Sequence, residues 1–433
     1  MKKSTFSRDF KILFSGNIGA HGISFLFATL VARLYPPERF ADLGLFVSIT
    51  TILSMLFTAR LEFAVVTSQS DEKAETLCRT GIAFSAIGAV LVTAGMAIAF
   101  LLGHLPSWMI FAGFSAFFLS STKFFTQLAS RKGMYSVLAH NKFIVAFLTN
   151  IVQCLLFFAS VGLVAGYFLG TYVSQMILAR KITLEKLPFQ RSTFLNNIRT
   201  SFKENLNFAK YDLPADIINF ASSQTPIFLL PLYYGSTLAG LYVFVDRVFS
   251  APASLIGASV SQIFFERATK AYAADKPALK FLTISIYNRI AGLGLCFTVI
   301  ILLLGPNIFQ LLFGANWVEA GRLAAALVSL VVLSLATSPL SMLFAVTGRQ
   351  RELLIYNVIV AASRFLSILI PWFFTKDFYF TIIIYAAANF FLRLLMGWRS
   401  LTIIDVHLFK AKRTLAITAA LVAAEVASIF IFS

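Results

Sequence analysis

Charged residues cut this chain into apolar runs, and nearly every run is long enough to cross a bilayer. Twelve fall at 11–34, 40–67, 80–102, 108–130, 142–161, 162–180, 207–233, 236–265, 280–304, 319–347, 352–374 and 378–400, and a thirteenth covers 414–432. A spanning helix needs about 20 mostly apolar residues, because the hydrocarbon core is ~30 Å thick and each residue rises ~1.5 Å. Backbone polar groups must be satisfied inside lipid, so the runs are predicted to be helices. The stretch from Ile144 to Ala179 is too long for one crossing and is divided at Gly162. There Gly162, Gly166 and Gly170 mark a tight turn or a close helix contact.

Composition agrees with a polytopic chain: 58% of residues are hydrophobic, 13% are charged, and Phe occurs 47 times. Charge placement then orients it, because basic residues favour cytoplasmic loops. With Met1 inside, the inner loops hold 26 of the 36 Lys and Arg, while the outer loops hold Arg39 and Lys376. A shift of one helix would destroy this asymmetry. The net charge of +17 is therefore mostly topology, and basic residues scattered among spans argue against a nucleic-acid partner. Cys78, Cys154 and Cys296 are isolated, as are the four histidines, so neither a metal site nor a cofactor is expected. The first run carries Asn17 and His21 and is followed at once by another, so it is predicted to be a retained helix.

The chain divides into an N-terminal six-helix lobe at 1–180 and a second six-helix lobe at 207–400. Between them, residues 181–206 read as a cytoplasmic linker. Leu195, Ile198, Phe202 and Leu206 share one helical face there, which suits either a helix lying among lipid headgroups or a solvated connection. Residues 401–433 add a basic loop and a further C-terminal helix. The halves share a short ungapped match, with Tyr35, Ala41, Leu43, Phe46 and Val47 over Tyr233, Ala239, Leu241, Phe244 and Val245. Both halves start inside, so the repeat would be parallel about an axis along the membrane normal, around a central cavity.

Eight basic residues lie within spans: Arg33, Arg60, Lys123, Arg247, Arg289, Arg322, Arg364 and Arg393. A charge at mid-bilayer costs ~2.5–3.5 kcal/mol on insertion scales unless it meets water or a partner. Arg33, Arg322, Arg60 and Arg393 lie toward span ends and can snorkel to an interface. Arg247, Arg289 and Arg364 are deep, and Lys123 is intermediate. These four are the expected cavity cations. Serines follow Arg247 at helical spacing (Ser250, Ser254, Ser261), Asn357 precedes Arg364, and Asn389 precedes Arg393. Asn17, His21, Asn219, Asn357 and Asn389 are expected to line a polar lumen. Among the acidic residues, Glu62, Asp216 and Asp246 could hold a coupling proton or sodium ion. Arg60 and Glu62, two apart, should not face each other on a helix. A basic surplus suits an anionic cargo; alternatively each arginine joins helices through a carbonyl or carboxylate. Pro214, Pro226, Pro231 and Pro252 mark bends in spans seven and eight, either gates or static kinks.

RLEFAVVTSQSDEKAETL at 60–77, and the stretch from Ala209 to Ala271, resemble helices two, seven and eight of bacterial polysaccharide flippases. These belong to the multidrug, oligosaccharidyl-lipid and polysaccharide exporter superfamily. The resemblance implies an all-α integral membrane fold of two six-helix bundles forming a V, here with an extra C-terminal helix. It further implies movement of undecaprenyl-diphosphate-linked repeat units across the bacterial inner membrane for O-antigen, lipopolysaccharide, capsule or exopolysaccharide. Its partners would be the lipid-linked oligosaccharide and membrane lipid, with a polysaccharide polymerase and a chain-length regulator. Alternatives are a lipid II-type flippase or a drug or metabolite antiporter of the same superfamily. The longest outer loop, at 305–318, carries no charge, which argues against a membrane-embedded polymerase or glycosyltransferase, and so against an enzyme.

Overall fold

The apolar runs fold as helices, and the breaks between them fall where local chemistry or packing stops a helix. A computed structural model describes residues 3–182, 206, 208–274, 276–406 and 412–432. Sixteen α-helices are described: α1 (Lys3–Leu34), α2 (Pro37–Thr58), α3 (Glu62–Thr67), α4 (Asp71–Leu101), α5 (Phe111–Arg131), α6 (Tyr135–Leu155), α7 (Gly162–Lys181), α8 (Leu213–Ser223), α9 (Thr225–Tyr234), α10 (Ser236–Ala274), α11 (Lys276–Phe313), α12 (Val318–Thr337), α13 (Met342–Val346), α14 (Gln350–Phe374), α15 (Phe378–Ile403) and α16 (Lys412–Phe432). Ten helical segments among the described residues are long and apolar enough to cross a membrane, and Gly19–Leu34 and Thr225–Tyr234 are shorter apolar helices. The protein is a multi-pass all-α membrane protein. The 181–206 linker expectation lies almost wholly outside the described residues, as does His407.

Three expected spans are interrupted. The 40–67 run breaks at Ala59 and Arg60, whose φ angles are 46° and 61°. The 207–233 run starts with a π turn at Phe208–Asp212 and breaks again at Gln224, between α8 and α9. Pro226 therefore sits in a first turn, where a missing N–H costs little, and Pro214 lies just after the π turn. Pro231 and Pro252 remain inside helices. The 319–347 run stops at Thr337 and resumes as a 3-10 turn at Pro339–Ser341 followed by α13. The division near Gly162 is observed, with α6 ending at Leu155 and α7 starting at Gly162. The expected outer loop at 305–318 is largely helical, because α11 continues to Phe313 through Pro306.

The chain forms two compact units, Met1–Tyr35 with Asp42–Ala221, and Pro36–Ala41 with Ser222–Ser433. In the first, α1 packs on α6, α6 on α7 and α4 on α5. Leu61, Val65, Cys78, Phe124, Leu128 and Leu178 make a buried core around α3. Tyr35 donates to the Gln153 carbonyl at 2.7 Å, tying the end of α1 to α6.

In the second unit α11 packs along α12, and α12 also meets α15 and α16. An aromatic cluster closes one end. Phe40, Phe244, Phe309, Phe313 and Trp317 are each no more than 2% exposed, and the Phe40 ring stands edge-on to Phe244 and Trp317 at 5.1 and 5.0 Å. Such pairs add ~0.5–1.5 kcal/mol beyond burial. The matched stretches each open a long helix, α2 at Pro37 and α10 at Ser236. They also meet: a Cβ on Gly240 would lie 1.8 Å from the Pro37 carbonyl oxygen, so only glycine allows this approach.

Candidate functional site

The second unit encloses a cavity of about 570 Å³. α10 supplies Tyr242, Asp246, Phe249, Ser250 and Ser254 at helical spacing, so one stripe of this helix is wet and polar. α12 adds Ser334, α14 adds Arg364, and α15 adds Tyr385, Asn389 and Arg393. Among the described lining residues Asp246 is the one carboxylate, against two guanidinium groups. Asp246 accepts from Ser250 at 2.9 Å and lies within the field of Arg364. Arg364 reaches the Ser222 hydroxyl at 3.4 Å. Arg364 and Arg393 act on each other across this space, and Arg393 also lies against Tyr356 and Tyr385. Asn389 donates to the Tyr385 carbonyl at 2.8 Å, leaving its Oδ1 without a partner. Two like charges sharing one counter-charge, ringed by hydroxyls and an amide, form an anion-receptive surface.

This differs from the expectation in specific ways. Arg364 and Asn389 line the cavity, as does Asp246. Arg247 is half-buried and outside the lining, because one helical step of 100° separates it from Asp246. The serine stripe assigned to Arg247 belongs to Asp246 instead, with Ser261 meeting Ser338 at 3.4 Å. Arg289 is exposed and also lies outside, since α11 buries the Leu279, Thr283, Tyr287 and Ala291 stripe and Arg289 falls between its turns. Asn357 is exposed and absent from the lining. Arg393 replaces them. Its place near the end of a span suggested snorkelling, yet it points into the cavity. Its three-residue spacing from Phe390 and four-residue spacing from Asn389 was the signal available.

Arg393 also lines a second cavity of about 190 Å³, made mainly by Leu333, Leu394, Trp398 and Leu401. One guanidinium therefore borders both a polar chamber and an apolar one.

The first unit carries a separate charge cluster where α2 breaks. Arg60 donates through Nε to Asp216 Oδ2 at 2.6 Å and pairs with the same oxygen through Nη2. Its Nη1 meets Glu62 Oε1 at 3.3 Å. The expectation that Arg60 and Glu62 would not face each other fails because the backbone is left-handed at Arg60, so helical spacing does not apply. The guanidinium also lies 4.9 Å from the Phe63 ring centre. Glu62 is 2% exposed and its Oε2 has no partner. Lys123 donates to Ser54 at 2.7 Å, within the field of Glu62, Arg60 and Asp216. Lys123 thus belongs to this mixed charge cluster and not to the arginine cavity. A further cavity of about 470 Å³ in this unit is lined by His21, Ser24, Asn141, Lys142 and Ser174. Asn219 is exposed, and the side chain of Asn17 lies outside the described residues.

Comparison with known proteins gives concordant results. A family described as "Polysaccharide biosynthesis protein" matches residues 30–322. No curated protein matches the sequence significantly. Among solved structures, the lipid II flippase MurJ in an inward closed conformation shares 14% identity at a TM-score of 0.64, covering 98% of this chain and 93% of that one. A Vibrio cholerae MATE transporter, VcmN, shares 13% identity at 0.56 over 96% and 98%. An inward-facing multidrug resistance MATE family transporter of the MOP superfamily shares 14% at 0.53 over 91% and 94%. At these identities the likeness establishes the fold.

Proposed function

Given that the chain belongs to the polysaccharide biosynthesis protein family, we propose that it is a flippase for undecaprenyl-diphosphate-linked oligosaccharide repeat units in surface polysaccharide synthesis. Its place would be the bacterial cytoplasmic membrane, with Met1 on the inner side. The observation that carries this reading is the pair Arg364 and Arg393 in one polar cavity with a single carboxylate. A diphosphate entering there exchanges hydration for two planar forks that pair with its oxygens. Hydroxyls of Ser250, Ser254 and Ser334 and the unpartnered Asn389 Oδ1 suit a sugar.

The apolar chamber bordering Arg393 supports an amphiphilic cargo, with phosphate at the guanidinium and hydrocarbon beyond it. Alternating access of this cavity to the two leaflets would complete the transfer, with no bond made or broken and hence no enzymatic step. Arg60 occupies Asp216, so Glu62, with its free Oε2, is the better seat in the first unit for a coupling proton or sodium ion. An organic-cation antiporter would want an acidic surplus, opposite to the cavity found. A polymerase and a chain-length regulator would act on the delivered product.

The test uses Arg364→Ala and Arg393→Ala variants held at normal membrane levels. Both should lose surface polysaccharide, while Arg289→Ala should keep it. Full export by both cavity variants would overturn the reading. Complementation of strains lacking defined flippases separates repeat-unit cargo from lipid II.

A further inference from the structure

α16 carries an acidic residue in its body. Glu425 lies about 20 Å along the helix from Lys412 and about 10 Å from Phe432, at ~1.5 Å per residue. It is 2% exposed, and its Oε2 has no hydrogen-bond partner. Ser428 donates to the Glu425 backbone carbonyl at 2.7 Å and leaves the carboxyl alone. α16 packs on α12, where Ser329 is itself fully buried with an unpartnered Oγ and is the side chain nearest in electrostatic effect to this carboxyl among the described residues. No basic group among them acts on it.

A third orphan lies at the same level. Gly294 packs against Val332, and Gly305 against Gly321, so α11 and α12 run antiparallel and Thr298 falls level with Val328. Thr298 is fully buried and its Oγ1 is unpartnered. α11, α12 and α16 all pack on one another. Three helices thus bring a carboxyl and two hydroxyls into an apolar interior, and none of the three residues is in the lining of the arginine cavity, although Leu327, Leu330 and Val331 of α12 are.

An ionised carboxylate without a cation partner is very costly in such surroundings. Two ways out exist, a bound metal cation or a proton. A dehydrated sodium ion needs more oxygens than one carboxylate and two hydroxyls, and neighbouring carbonyls are committed to helix hydrogen bonds. A proton needs one acceptor. Glu425 as a neutral acid donates to Ser329 Oγ, which satisfies both orphaned oxygens at once and frees the serine proton to turn toward Thr298.

We propose that Glu425, with Ser329 as its acceptor and Thr298 beside it, is a proton-binding site inside the second unit, separate from the arginine cavity. The bound proton lets α16 pack against α11 and α12 without a buried charge. Release of the proton requires water to reach that interface, so occupancy reports on whether the interface is open.

Infrared difference spectroscopy on the full-length protein in lipid nanodiscs tests this. Wild type minus Glu425→Gln should show a protonated carboxyl C=O band at neutral pH that is lost reversibly in alkali. Ser329→Ala keeps the acid but removes its acceptor, so the same band should move to higher frequency; this variant carries the test if Glu425→Gln does not fold. Carboxylate bands from Glu425 at neutral pH, a band that depends on sodium at fixed pH, or no shift in Ser329→Ala would each overturn the proposal. None of these readouts depends on export, so they stand apart from the flippase reading.

Discussion

Arg60 donates to Asp216 Oδ2 at 2.6 Å from a left-handed backbone, and the same guanidinium reaches Glu62 two residues away. The break in α2 and the ion pairs depend on each other. A continuous helix would turn Arg60 away from Glu62, and without the pairs nothing offsets the strained φ.

That coupling predicts an order among variants. Arg60→Ala should destabilise the protein by about 3 kcal/mol, because it leaves Glu62 buried without its partner. Arg60→Gly loses the same charge but relieves the left-handed strain, so it should be ~1 kcal/mol less damaging. Thermal unfolding in detergent measures both. Equal melting temperatures would show that the backbone at this position carries no strain.

Gly240→Ala should be among the most harmful single-methyl changes in the chain. Its Cβ would overlap the Pro37 carbonyl, a backbone atom that cannot swing aside. A loss of at least about 3 kcal/mol, or failure to accumulate in the membrane, is expected. Gly95→Ala, where nothing lies within 4 Å, serves as control and should cost little.

Asp246→Asn removes the one carboxylate among the described cavity lining residues and keeps its shape. Affinity for inorganic diphosphate should rise roughly tenfold, the effect of deleting one repelling charge several ångströms away at intermediate dielectric. Calorimetric titration reads this directly. Unchanged affinity would place the anion away from α10.

Tyr35→Phe should cost about 1 kcal/mol through the lost bond to the Gln153 carbonyl. Burial, with Cys154 nearby, pushes the Tyr35 phenol up to about 12, so the hydroxyl keeps its proton and donates across the physiological range. The stability difference between wild type and Tyr35→Phe should therefore stay constant from pH 6 to pH 9, a range wholly below the phenol's titration. A difference that shrinks toward pH 9 would count against it.

Much of the architecture is visible in the order of residues. Gly162 marks the turn between α6 and α7, and the match of Tyr35–Val47 with Tyr233–Val245 locates the starts of α2 and α10. The arginine cavity was legible only in part. Arg364, Asp246 and Asn389 are there, but Arg247 and Arg289 are not, and Arg393, expected to snorkel to an interface, lines the cavity instead. A polar stripe shows that a helix has a wet face, but adjacent residues such as Asp246 and Arg247 both border it. The break at Ala59 and Arg60 had no glycine or proline to signal it. Glu425 stood inside a run read simply as apolar.

By itself the amino-acid order determined a multi-pass helical protein, the gathering of its basic residues in alternate loops, and an excess of cationic groups over carboxylates within the spans. These follow from local quantities, namely run length, hydropathy and loop charge, which act on each segment independently of its neighbours. Only the tertiary structure decided that Arg364 shares its chamber with Arg393, that Arg60 turns back upon Glu62, and that Glu425 is buried where α16 packs on α12. Each is a meeting of groups set by helix rotation and by a backbone kink. A rotation of one residue, 100°, carries a side chain from water to apolar packing at almost no change in local propensity.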